Sequence, residues 1–525
     1  MEPGMGTDRC LNPPTRTVTT PLCAPEHWMF RSPPACLVTT FTSQWTHISF
    51  AAAISLQHAA VPTRPRRLCA SRHIRALRHF ALKLALVLIP SFLQSKDELK
   101  KRLGPTAFLD GLRGLAAFFV FHQHLLQPHT TETFKGYGHD GVYYWIQFPI
   151  LRLFYAGATM VFIFFVVSGY ALSYALLKAR RDHGWQALLP ALSSSTFRRG
   201  IRLYLPAMVV SFVFMSLVYL GLCEPVRHFA AEAPGWPDAF PIRKASYYIQ
   251  VQHWVWMWQE MMNFSSWAIY WPTYDDHLWT IRTEFMGSLV LYLIQLLLAR
   301  VKAMLRVVLL IFFMLYCMIY GRWEIWMFLG GMTVAEVDIL RGTDKCSSPP
   351  QPSATRPNYR YKITITGLLW TTNLLVALYL LSMPMNNAST TPGYVWLDSL
   401  IPSSWVEERF GFWWGFGSIQ LLATASNCPL VAKAFTNRFA QYLGKISYAL
   451  YVVHGPLLLT MGYAVSQALT PILGGTSTFS WTIAIVVEWL VLMPVLFFIS
   501  DIVWRLVDQP SVSLARWLQS KCFTS

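Results

Sequence analysis

The stretch LDGLRGLAAFFVFHQHLL, residues 109–126, puts Asp110, Arg113, His122 and His124 into a run apolar enough to lie in lipid. Wound as an α-helix, Arg113 and His124 fall within about 20° of each other and roughly 16 Å apart along the axis. Asp110 sits one turn before Arg113, where the two can pair. His122 falls on the opposite side. Charges inside a span are costly and turn toward a cavity or the bundle interior. Asp110, Arg113 and His124 therefore read as one polar stripe. A neutral imidazole is suited to act as general base near pH 7. A guanidinium can hold a phosphate or stabilise charge developing on an oxygen. The competing reading is a structural Asp–Arg pair beside a satisfied core histidine. For His122, packing is expected.

Four further segments supply companions. In FIFFVVSGYALS (162–173), Ser168 and Gly169 let another backbone approach, so the segment reads mainly as packing. FRRGIRLYLP (197–206) places Arg198, Arg199 and Arg202 at the mouth of a span, with Arg198 and Arg202 on one face. They suit a phosphate-bearing ligand, or equally an ordinary cytosolic basic cluster. DDHLWTIRTEFMGSL (275–289) carries Glu284 in the first turns of an apolar helix, at a depth expected to match His124 and to let it orient that imidazole. GKISYALYVVHGPLL (444–458) adds Tyr448 and a second in-membrane histidine, His454, with Pro456 expected to kink or end the helix. The nine cysteines show neither CxxC nor Cys/His ligand spacing, so no metal is expected.

The elements that must position these groups are helices in a membrane. Of 525 residues 54% are hydrophobic and only 13% charged, which marks an all-α, polytopic membrane protein. About ten transmembrane helices are expected between residues 106 and 505. The net charge of +17 does not indicate nucleic acid, because the basic residues sit in short clusters between apolar runs. Lys and Arg gather on one side, at 178–181, 198–202, 300–306 and 341–362, which places both termini in the cytosol. The aromatic loop 223–277 then lies on the other side, as an interfacial belt or as a lid over an acceptor pocket. Residues 1–104 read as a basic tail, disordered or interfacial, 105–515 as the transmembrane domain, 340–362 as a linker within it, and 516–525 as a cytosolic tail.

Together these segments resemble the integral-membrane acyltransferase type-3 family. LDGLRGLAAFFVFHQH is similar to its first-helix signature, in which Arg and His stand where Arg113 and His124 stand here. FFVVSGYALS, FRRGIRLYLP and ISYALYVVHGPL resemble further family segments in the expected order, and VDQPSVSLARWL (507–518) resembles the closing one through Asp508. HLWTIRTEFMGSLVLYL resembles the fungal branch, whose pattern is nearer LWTIPVEFRGS. Glu284 matches it, while Arg282, Thr283 and Met286 depart.

The resemblance implies transfer of an acyl group, usually acetyl from acetyl-CoA, to a hydroxyl. The expected acceptor is a small molecule, a terpenoid or polyketide of secondary metabolism. The alternatives are a glycan or lipid acceptor, or a non-enzymatic permease or receptor on the same scaffold. Acyl-CoA would dock on Arg198, Arg199 and Arg202. Arg113 would hold the donor or stabilise the thioester oxygen, His124 would act as base, and Glu284 would orient it. Asp110, Tyr448 and His454 would support them. Direct transfer and a transient acyl-histidine both remain open. Neither bound cofactor nor metal is expected, and the expected location is the endoplasmic reticulum membrane.

Overall fold

A computed structural model describes residue 91 and residues 103–232, 240–342, 365–405, 408–473 and 478–523. The readings of 1–104 as a tail and of 340–362 as a linker fall almost wholly outside these residues. The described residues are helical, with no strand among them.

A helix forms at each of the ten apolar runs. They are α1 (Ala107–Leu126), α2 (Gly157–His183), α3 (Leu188–Tyr219), α5 (Trp279–Leu297), α6 (Ala303–Ile319), α7 (Trp323–Arg341), α8 (Ile365–Leu381), α9 (Gly411–Asn427), α10 (Arg438–Leu457) and α12 (Thr478–Val503). Three more of ten residues or longer are α4 (Tyr247–Met261) in the aromatic loop, α11 (Tyr463–Leu473) and α13 (Gln509–Cys522), beside the short helices Arg227–Glu232, Val395–Ser399 and Pro429–Phe435. Four helical stretches are long and apolar enough to cross a membrane: Gly157–His183, Trp185–Tyr219, Arg438–Ile472 and Ser480–Cys522. Ala303–Ile319 and Ile365–Leu381 are shorter apolar helices.

Small residues set the tightest crossings, as expected where lipid offers no hydrophobic drive between helices. A Cβ on Gly169 of α2 would lie 2.2 Å from Phe328 O of α7, which bears out the packing role read from the sequence. Helix α1 lies between α2 and α10. Gly114 and Gly444 face each other where α1 meets α10, and a Cβ on Gly114 would lie 2.3 Å from Gly444 N. That contact sets the stripe of α1 against the polar face of α10.

The regular α-helical bonding of α10 ends at Leu457, one residue past Pro456, as the sequence leads one to expect. Proline lacks the N–H of a regular turn, and the chain passes through a π turn, Leu458–Gly462, before resuming as α11.

Candidate active site

Three histidines from three distant segments meet at the far end of α1. The His124 ring lies 3.9 Å from that of His277, edge to face, and 5.4 Å from that of His454, centroid to centroid. His277 and His454 are 4.6 Å apart. Each ring is held through Nδ1. His124 Nδ1 bonds Gln127 Oε1, one turn on, at 3.0 Å. His454 Nδ1 donates to the Tyr451 carbonyl at 2.6 Å. His277 Nδ1 donates to Asp275 Oδ1 at 2.8 Å and lies 3.2 Å from Asp276 Oδ1.

His277 belongs to a 3₁₀ turn, Asp276–Leu278, that leads into α5. Burial works against its charged form, but Asp276 and Asp275 outweigh burial and hold its pKa above the ordinary histidine value. Tyr451 of α10 donates to the His277 carbonyl, and Thr280 Oγ1 meets the Tyr451 hydroxyl at 2.5 Å. The turn can nest this closely because residue 455 is glycine: a Cβ there would lie 2.4 Å from Asp275 Oδ1 and 2.8 Å from His277 Nδ1.

A cavity of about 470 Å³ opens beside His124 and His277. Asp276, Gln127 and Thr280 supply polar walls, and Trp279 and Trp323 supply aromatic ones. Ile269 and Trp271 of the aromatic loop also line it. The loop's helix α4 buries Trp258 and exposes Tyr248 and Trp256, while its later part covers the cavity. Arg282, a departure from the fungal pattern, is buried and donates to the Ser266 carbonyl at 2.6 Å, tying that covering segment to α5.

The other end of the stripe is ionic. Arg113 Nη2 lies 3.4 Å from Asp110 Oδ1, as the spacing predicts, and Arg113 Nε donates to Ser447 Oγ of α10 at 3.3 Å. Asp508 interacts electrostatically with both Arg113 and Arg202. Arg198 donates to the Ser194 carbonyl at 3.1 Å. Tyr448 donates to the Leu203 carbonyl, which makes it a brace between α10 and α3.

Glu284 corrects the expectation. It pairs with Arg199 Nη2 at 2.6 Å and accepts from Ser168 Oγ at 3.0 Å, at the arginine end and not beside His124. His277 stands level with His124, and Glu284 lies seven residues further on, roughly 10 Å deeper along the helix. Arg199 is correspondingly engaged by Glu284, and Ser168 is a polar partner as well as a packing residue. The signal for the missed residues lay in the quoted segment itself: DDH, a histidine behind two carboxylates ahead of an apolar helix. The metal expectation also meets a different geometry. No ligand spacing is visible along the chain, yet His124, His277 and His454 converge in space.

His122 faces away as predicted. It is buried, bonds the Phe118 carbonyl through Nδ1 at 2.7 Å, and accepts from Trp489 Nε1 at 2.9 Å.

The chain belongs to the acyltransferase domain family, which matches it across residues 106–505, and it is an acyltransferase. It is 30% identical over 451 residues to O-acetyltransferase PaAT-1 of Phomopsis amygdali, covering 82% of this chain and 88% of that protein. Acyltransferase R4 of a Phoma species is 26% identical over 411 residues, covering 68% and 83% respectively. Acyltransferase clz18 of Cochliobolus lunatus is 26% identical over 403 residues, with the same two coverages. No solved structure matches the chain.

Proposed function

We propose that the chain is a membrane-bound O-acetyltransferase. It moves acetyl from acetyl-CoA to a hydroxyl of a small-molecule acceptor, a terpenoid or polyketide alcohol of fungal secondary metabolism. It works from the endoplasmic reticulum membrane as a bundle of ten spans. The observation that carries this reading is the single face of α1, with Arg113 at its ionic end and His124 at the wall of an aromatic cavity. The name of the PaAT-1 relative supports O-acetylation. A cavity of about 470 Å³ suits a compact acceptor better than a glycan chain.

Arg198 and Arg202 receive the phosphates of CoA, and Arg113 holds the donor on its way along α1. The roughly 16 Å from Arg113 to His124 is a length the extended pantetheine arm can span. Gln127 Oε1 accepts a hydrogen bond from His124 Nδ1–H, so Nε2 is the nitrogen that accepts a proton. His124 removes the proton of the acceptor hydroxyl as its oxygen attacks the thioester carbonyl. The tetrahedral intermediate collapses, the C–S bond breaks, and the CoA thiolate takes the proton back from His124. Asp275 and His277 position the base. Among the described residues no cysteine lines the cavity, which favours imidazole over thiol chemistry.

The test is acetyl transfer from labelled acetyl-CoA in microsomes, followed by metabolite profiling of a deletion strain to identify the unacetylated alcohol. Transfer that survives His124→Ala, with normal expression, overturns the mechanism.

A further inference from the structure

A single general base does not require three imidazoles. We propose that His124, His277 and His454 form a site for a divalent transition-metal ion, Zn²⁺ before others, and that filling it takes His124 away from base catalysis. The binding stands on geometry alone. The inhibitory consequence rests on the base role assigned to His124 above.

One nitrogen from each ring can be chosen so that all three lie within 4.8 Å of one another. Three imidazoles sharing one tetrahedral Zn²⁺, at roughly 2.0–2.1 Å per bond, place their ring centroids about 5 Å apart. The separations here are 3.9, 4.6 and 5.4 Å.

The outer shell points the same way. Metal-binding histidines nearly always give their other N–H to a carboxylate, a carbonyl or an equivalent oxygen. All three rings do so through Nδ1: to the Gln127 amide, the Asp275 carboxylate and the Tyr451 carbonyl. Nε2 is thereby the coordinating nitrogen of each. His454 is fully buried, and its Nε2 has no hydrogen-bond partner among the described residues. A cation is a group that would satisfy that lone pair inside a closed bundle.

An all-imidazole set selects Zn²⁺, Cu²⁺ or Ni²⁺ over the oxygen-seeking Mg²⁺ and Ca²⁺. His124 and His277 both line the cavity, so the fourth coordination position opens toward it. That makes an exchangeable site and not a closed structural one.

The experiment uses the full-length enzyme, purified in detergent, stripped with a chelator and reloaded with Co²⁺ or Zn²⁺. The readouts are the visible spectrum of Co²⁺ and the bound Zn²⁺ per chain. Expected are one ion per chain in wild type and in His122→Ala, and affinity reduced at least about tenfold in His454→Ala. His454→Cys keeps a ligand and retains the ion, which separates lost coordination from lost folding. Equal affinity in wild type and His454→Ala, or no stoichiometric ion in wild type, overturns the site. Zn²⁺ is further expected to suppress acetyl transfer, and chelator to restore it. If chelation instead abolishes transfer and Zn²⁺ restores it, the site is upheld and the base role of His124 falls.

Discussion

Two cavities flank α1, and each has a histidine of the same segment in its wall. The larger, about 710 Å³, is lined by His122, and the smaller, about 470 Å³, by His124. Volume would choose the first. Hydrogen bonding chooses the second. His122 has both nitrogens committed: Nδ1 donates to the Phe118 carbonyl and Nε2 accepts from Trp489. To take a proton at Nε2 it would have to set an N–H against the indole N–H. His124 meets two further imidazoles, one of them backed by carboxylates. The use already made of an imidazole's nitrogens locates chemistry better than the space beside it.

The largest expected effect tests that contrast directly. His124→Ala is expected to lower kcat by about 10³-fold, within the range of lost acid–base catalysis. His122→Ala is expected to change kcat less than about threefold while costing about 1–2 kcal/mol of stability through its lost buried hydrogen bonds. Transfer assays paired with melting curves in detergent give both numbers. Equal losses of kcat in the two variants would break the contrast.

Next comes the dyad behind His124. Asp275→Asn keeps size and removes the charge that holds His277. We expect kcat to fall about 10- to 100-fold with little change in either KM, the usual scale for groups that orient others. Gly455→Ala should mimic it by wedging a methyl between α10 and the Asp275–His277 pair. Unchanged kcat in Asp275→Asn would leave His277 as mere packing.

The helices were legible because each is a long apolar run, and the Arg113–His124 stripe because both residues lie on one helix with a fixed pitch. Asp110 followed from the same pitch. The contacts between helices were not legible. Residues 124, 277 and 454 share no local spacing, and contacts between helices, among them the close crossings at Gly114, Gly444 and Gly455, bring them together. Depth along an apolar run does not place Glu284, because Arg199 of another helix decides where its carboxylate rests. At the basic mouth Arg198 and Arg202 share a face, and Arg199, off that face, pairs with Glu284.

That pair gives the third test. Glu284→Gln leaves Arg199 beside a neutral amide in a largely buried setting, with side-chain exposures of 17% and 22%. The expected cost is about 2–3 kcal/mol, below the full penalty for a wholly buried ion. It should appear as a lower melting temperature and a raised KM for acyl-CoA, with kcat of the folded enzyme changed less than about threefold. A hundredfold fall in kcat at wild-type stability would return Glu284 to His124 and undo the division of the stripe into two ends.

The smallest expected effect compares the walls of the two cavities. Trp271 lines the cavity of His124, and Trp145 lines that of His122, and both are well exposed. An indole that stacks on an acceptor contributes about 0.5–1.5 kcal/mol beyond its buried area. Trp271→Ala should therefore raise the acceptor KM by roughly two- to tenfold and leave the acyl-CoA KM unchanged. Trp145→Ala should alter neither. If Trp145 instead sets the acceptor KM, the acceptor enters along the His122 face. His124 would then have to be reached from the opposite side of α1, where His122 points. That result would move the acceptor site, and with it the base, to the other side of the helix.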